Sequence, residues 1–162
     1  SAPLDESAVD HTPPFPARFW VDLAAGTAGW ERTDDLGGDF CRFNDRYDGV
    51  RSRWHYMSGA IDPERRLGDF DAIVRYDSTS GAREVWEAGP TGHVGESVFA
   101  PNPDGTSEED GWLLNAVYDA GTERTEICVF DAPDIAAGPV ARVRLPYRMP
   151  FGFHANWFAS ED

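Results

Sequence analysis

The chain of 162 residues carries 29 acidic against 14 basic side chains, a formal charge of −15, and every basic residue is arginine. Such a surface repels phosphate backbones and anionic headgroups, which argues against nucleic-acid binding and against docking on membranes through a basic patch. No run approaches the roughly 18 apolar residues of a spanning helix, and no charged-then-apolar leader opens the sequence, so a soluble, cytoplasmic protein is expected.

Residues 1–17 hold Pro3, Pro13, Pro14 and Pro16 among Asp and Ser, and read as an irregular connector. Phe19 to Leu23 reads as a strand ended by Gly26. Four strands follow, at Asp39 to Phe43, Arg53 to Met57, Ala72 to Tyr76 and Arg83 to Glu87. The breaks between them carry Asp48-Gly49, Asp62-Pro63 and Ser78-Thr79-Ser80-Gly81, residues that favour turns by side-chain hydrogen bonding or by tolerating positive φ. A second set has the same plan: Glu96 to Ala100, Trp112 to Tyr118, Glu126 to Phe130 and Val140 to Leu145. Its turns are Asn102-Pro103-Asp104-Gly105, Ala120-Gly121 and Ala137-Gly138-Pro139. Only Asp131 to Ala137 suits a turn of helix, with Pro133 tolerated near its start.

The two sets run in phase. Asp39, Glu96 and His154 stand near the starts of apolar runs at spacings of 57 and 58 residues, and Trp54 and Trp112 are 58 apart. A repeat of this length, built from four short strands, has the size of a propeller blade, which makes the class all-β. His154 then opens the innermost strand of a third repeat. Two blades are fewer than a closed propeller needs, and the sequence starts at Ser1, so the chain is expected to be the C-terminal part of a longer protein. Residues 18–162 are its last blades, part of one propeller domain.

Innermost strands line the channel of a propeller, so Asp39, Glu96 and His154 face one polar axis. Imidazole binds first-row transition metals, and a ligating His passes its second ring N–H to a carboxylate that fixes its tautomer. Glu96 and His154 have the residue types for that pair, and lining a solvated channel would use the same residues. Cys41 and Cys128 have no C-x-x-C spacing and read as two buried, reduced thiols. His11 sits in the connector, His55 faces a blade surface or solvent, and His93 lies in a Gly-rich turn. The tryptophans Trp20, Trp54, Trp86 and Trp112 are expected in the core between blades.

Glu96-Ser97-Val98-Phe99-Ala100-Pro101, then Asp110-Gly111-Trp112-Leu113-Leu114, then Pro150-Phe151-Gly152-Phe153-His154 resemble the C-terminal signature of the carotenoid cleavage oxygenases. Asp39-Phe40-Cys41-Arg42-Phe43-Asn44, with Gly49, Arg51, Arg53 and Tyr56, is similar to an earlier inner strand of that family, and Trp20-Val21-Asp22-Leu23 to the strand before it. The resemblance implies a seven-bladed propeller with Fe(II) on its axis, held by four His whose partners include three acidic residues. His154 takes the place of the last iron ligand and Glu96 that of the Glu bonded to it. Asp39 takes the place of another such Glu, one methylene shorter, whose His partner lies upstream. Phe151 and Phe153 are candidates for the wall of an apolar substrate tunnel.

The resemblance further implies cleavage of a C=C bond of a carotenoid, apocarotenoid or stilbene-like substrate by O2, giving two carbonyl products. With one of four ligands the chain alone is expected to be inactive. A non-catalytic propeller remnant or binding module is the alternative.

Overall fold

In the computed structural model, residues 14–66 and 68–160 are described. The order is β1 (Ala17–Asp22), β2 (Thr27–Arg32), β3 (Gly37–Arg42), β4 (Trp54–Ala60), β5 (Ala72–Asp77), β6 (Arg83–Glu87), β7 (Gly92–Val94), β8 (Val98–Pro101), β9 (Gly111–Asp119), β10 (Arg124–Asp131) and β11 (Pro139–Arg144). Two 3₁₀ turns, Asp45–Tyr47 and Ala132–Ala137, interrupt the strands. All the pairing is antiparallel.

The strands form two blades, each a sheet four strands wide, and a hairpin. The first blade is β3-β4-β5-β6, and the second runs β11-β10-β9 with β7 and β8 both on the far side of β9. The second inner strand is therefore one strand broken in the middle. The strands expected in the hairpin and the two blades all appear within a few residues of their positions, whereas β2 and β7 were not legible. β2 is Thr-Ala-Gly-Trp-Glu-Arg, and its single Gly and mixed polarity hide the alternation of a strand. β7 has only three residues, Gly-His-Val, and is held by its register with β9 rather than by propensity.

Two further expectations change. The connector ends before Ala17, because β1 begins there and pairs along its whole length with β2; residues 1–13 and His11 lie outside the described residues. His154 does not open a strand: residues 150–160 carry no strand, since no neighbouring strand lies beside them among the described residues to take up their backbone groups.

Turn chemistry sets the hairpins. Between β5 and β6, Asp77 accepts from the Thr79 amide at 2.9 Å and the Ser80 hydroxyl at 2.7 Å, and Gly81 takes φ +74. The same carboxylate accepts two hydrogen bonds from Arg53, at 2.9 and 2.7 Å. Between β9 and β10, Asp119 accepts from the Gly121 amide and the Thr91 hydroxyl. In the loop from β8 to β9, Asp110 takes the amides of Thr106 and Ser107.

The core lies between the two blades. Tyr56, Phe70 and Ile73 of the first face Val94, Phe99, Leu113, Val117, Cys128 and Phe130 of the second, with Ile135 of the 3₁₀ turn closing the layer. Trp86 meets Phe130 edge-on with ring centroids 4.8 Å apart. At the rim Arg75 lies 3.5 Å over the Trp54 ring, pairs with Glu84 at 3.1 Å and reaches Glu109 in the loop of the second blade. Of the tryptophans, Trp86 joins this core, whereas Trp20, Trp30 and Trp112 are exposed. The outer face of β1–β2 has no sheet packed on it among the described residues, which leaves Trp20 and Trp30 in solvent.

Truncating the fully buried Phe130 to Ala is expected to cost about 3–5 kcal/mol, read as a shift in the denaturant midpoint. The Arg53 guanidinium, with the turn hydroxyl and amides, holds the Asp77 carboxyl below its ordinary range. A depressed carboxyl contributes stability above its unfolded value and loses it as pH falls, from about pH 5 downward. Asp77→Asn should therefore lower Tm at pH 7 and flatten its decline under acid; an unchanged acid limb would assign the pH dependence to other carboxylates.

Candidate metal-ligand site

The break in the second inner strand, between Val94 and Val98, turns Glu96 toward the C-terminal segment. The Glu96 side chain is 4% exposed, and a buried carboxylate without donors would cost several kcal/mol. Its donors come from three directions. The Ala155 amide donates to Oε2 at 2.7 Å, His154 Nδ1 lies 3.3 Å from Oε1, and the Arg42 guanidinium of β3 lies 3.6 Å from the same oxygen. Arg42 also donates to Asn156 Oδ1 at 2.9 Å. One carboxylate and one guanidinium thus tie the segment 154–156 to both blades.

An ionised carboxylate only accepts, so the Glu96 contact assigns the proton to Nδ1 and leaves Nε2 as the free donor atom of His154. The imidazole is 73% exposed, so that nitrogen is open to a ligand. Its ring stands edge-on to Phe40, centroids 5.8 Å apart, and Phe40 stands edge-on to Phe70. Phe40 itself has φ +56, a left-handed conformation that costs a bulky residue about 1–3 kcal/mol. It falls in a register shift of β3 against β4, where the Asp39 carboxylate accepts the Phe40 amide at 2.7 Å.

The structure brings Glu96 and His154 together and leaves Asp39 apart. Asp39 is exposed and lines a cleft of about 1340 Å³ between the β1–β2 hairpin and the first blade, which neither Glu96 nor His154 borders. Phe151 and Phe153 line a second cavity, of about 420 Å³, with Phe40, Phe70 and Tyr118. His93 borders that cavity with Nδ1 2.5 Å from Asp69 Oδ1. His55 is held by Ser52 and Cys41, and burial lowers its affinity for a proton. Cys128 is buried, but Cys41 is exposed, because the bulge of β3 turns its side chain to the larger cleft.

Among the described residues no group of three or more His, Cys, Asp or Glu could hold a metal ion. The donor set present, one imidazole with its orienting carboxylate, fits a single position in a metal's coordination shell. Arg42, Phe40 and the Ala155 amide join it without having been singled out as site residues. Arg42 was visible as part of a motif, but an arginine in a strand has no period or spacing that assigns it to a carboxylate 54 residues away.

The blades define a portion of a β-propeller with a polar group at the end of an inner strand. A family model described as retinal pigment epithelial membrane protein matches residues 2–159, and the chain belongs to that family, the carotenoid cleavage oxygenases. It is 33% identical to the apocarotenoid-15,15'-oxygenase of Synechocystis sp. over 140 residues, covering 86% of this chain and 28% of that protein. A carotenoid cleavage oxygenase of Mycobacterium tuberculosis is 32% identical over 144 residues, with the same coverage of 86% and 28%. The lignostilbene-alpha,beta-dioxygenase isozyme III of Sphingomonas paucimobilis is 28% identical over 168 residues, covering 96% and 34%. The crystal structure of cobalt-substituted Synechocystis ACO superposes with a TM-score of 0.86 at 30% identity, over 96% of this chain and 33% of that one. The chain spans about a third of the length of these relatives or less. No helix among the described residues is long and apolar enough to cross a membrane.

Glu96→Ala removes the acceptor of the Ala155 amide. Hydrogen bonds to charged groups are worth about 1.5–3 kcal/mol, so exchange of that amide should accelerate by about tenfold or more. Unchanged exchange would show that the segment is held without the carboxylate.

Proposed function

We propose that this chain is the C-terminal portion of a non-heme Fe(II) dioxygenase that cleaves a C=C bond of a carotenoid, apocarotenoid or stilbene-like substrate with O2 to two carbonyl products. The observation that carries the reading is the Glu96–His154 pair: a buried carboxylate on Nδ1 and an exposed ring with Nε2 free. The names of the relatives, oxygenases of apocarotenoids, carotenoids and lignostilbene, support the reaction class. Residues 18–162 are read as the last blades of one propeller domain, with the remaining ligands on other blades, so this chain alone is inactive.

In this reading His154 is one imidazole ligand of the iron, and Glu96 fixes its tautomer and raises its basicity. Fe(II), when bound, supplies the O2 chemistry; what the chain contributes is geometry and an apolar lining. Arg42 and the Ala155 amide hold the carboxylate so that the ring cannot rotate away from it. Asp39 acts in the same way on a ligand His carried outside this chain. Phe40 stands edge-on to the His154 ring, and with Phe70, Phe151 and Phe153 it presents aromatic faces to a conjugated chain and excludes water. The two unbridged cysteines, Cys41 exposed, support a cytoplasmic, reducing setting.

The test is His154→Ala in the complete protein. Iron content should fall well below one per chain and turnover of an apocarotenoid should be lost, by more than about 100-fold. Turnover and iron content equal to those of the parent would overturn the assignment.

A further inference from the structure

Glu96 reaches His154 because its strand leaves the ladder. β7 ends at Val94 and β8 begins at Val98, both paired to β9, and Gly95, Glu96 and Ser97 lie in between. Backbone groups that leave a ladder inside a protein need other partners. The Gly95 carbonyl accepts from Asn115 Nδ2 at 2.7 Å and from Ser58 Oγ, on the other blade, at 2.8 Å. Its N–H donates to the Ala116 carbonyl at 3.1 Å and to Asn115 Oδ1 at 3.3 Å. Asn115 Nδ2 donates further to Ser97 Oγ at 3.0 Å.

A single amide side chain therefore holds the residues on either side of Glu96. Asn115 is 1% exposed, and Ser58 and Ser97 are fully buried. The strand around it argues the same way. Leu113 and Val117, two residues to each side on the same face of β9, are buried and apolar, and Asn is a poor strand former. A buried amide in that row is costly unless its donors and acceptor are used, and here all are directed at the break. Gly95 is not what forces the break: a Cβ there would meet only the Ala116 carbonyl, at an ordinary 3.5 Å.

We propose that Asn115, assisted by Ser58, is the positioning residue of the metal site: it holds the strand break that aims Glu96 at His154 Nδ1. The inference rests on the reading of His154 as a metal ligand. It predicts that loss of the Asn115 amide loosens the carboxylate and, through it, the orientation of the imidazole.

The experiment loads the complete protein with Co(II) and measures metal affinity by chelator competition, together with the visible absorption of the bound ion. Asn115→Ala should weaken affinity by about 10-fold and shift the absorption bands. Val117→Ala, a cavity in the same strand, serves as the control for stability loss alone and should leave both unchanged. Ser58→Ala, which removes one bond to the same carbonyl, should move both in the same direction by less. An Asn115→Ala protein with the parent's spectrum and affinity overturns the proposal. If that variant does not fold, Ser58→Ala decides: no change in either quantity overturns it. His154→Ala, run alongside, separates the two ideas. Unchanged affinity there defeats the ligand assignment itself, whereas weakened affinity there with an unaltered Asn115→Ala defeats only the positioning role.

Discussion

A carboxylate buried between two blades must find donors, and the arrangement around Glu96 follows from that requirement. The amide of Ala155, the ring of His154 and the guanidinium of Arg42 converge on it from a C-terminal segment without regular structure and from the first blade. Without that group nothing in the backbone would fix residues 154–156, because they pair with no strand. The same contact that anchors the segment also chooses the tautomer of His154, so anchoring and chemistry share one interaction.

Around this centre the molecule alternates rigid and irregular parts. The apolar layer between the blades is closed by Phe130, Leu113, Ile73 and Tyr56, all with almost no exposure, and the Arg75 pairs seal its rim. Two irregularities fall on the inner strands: the bulge at Asp39 and Phe40 with its positive φ, and the break at Gly95 to Ser97. Each re-aims side chains that regular alternation would have sent elsewhere. Bulges and breaks next to functional side chains are a recurrent device of sheets, and both here border the same imidazole.

Much of the architecture was legible because its signals are local. Two in-phase sets of four runs, separated by Asp-Gly, Asn-Pro-Asp-Gly and Ser-Gly turns, specify hairpins whose turn residues satisfy their own backbone, as Asp77, Asp110 and Asp119 do. The pairing of Glu96 with His154 was legible as well, from residue type and from a spacing that repeats with the blade. What escaped has no local signal. β7 is three residues long, β2 lacks alternation, and the regular alternation expected of Asp39 was broken by a bulge that no residue in the motif announces.

The sequence by itself determined the class of fold, the two blades and the family, since periodicity, turn chemistry and motifs are properties of neighbouring residues. It also named the carboxylate and the imidazole. Only the tertiary structure decided that Glu96 takes the Ala155 amide and Arg42 as further partners, that Asp39 faces a different cleft, and that Asn115 spends a buried position on the strand break. Those outcomes depend on which segments meet across the blades. Contacts between residues 42, 58, 96, 115 and 154 are set by packing and by the need to satisfy buried polar groups, and no stretch of contiguous chain encodes them.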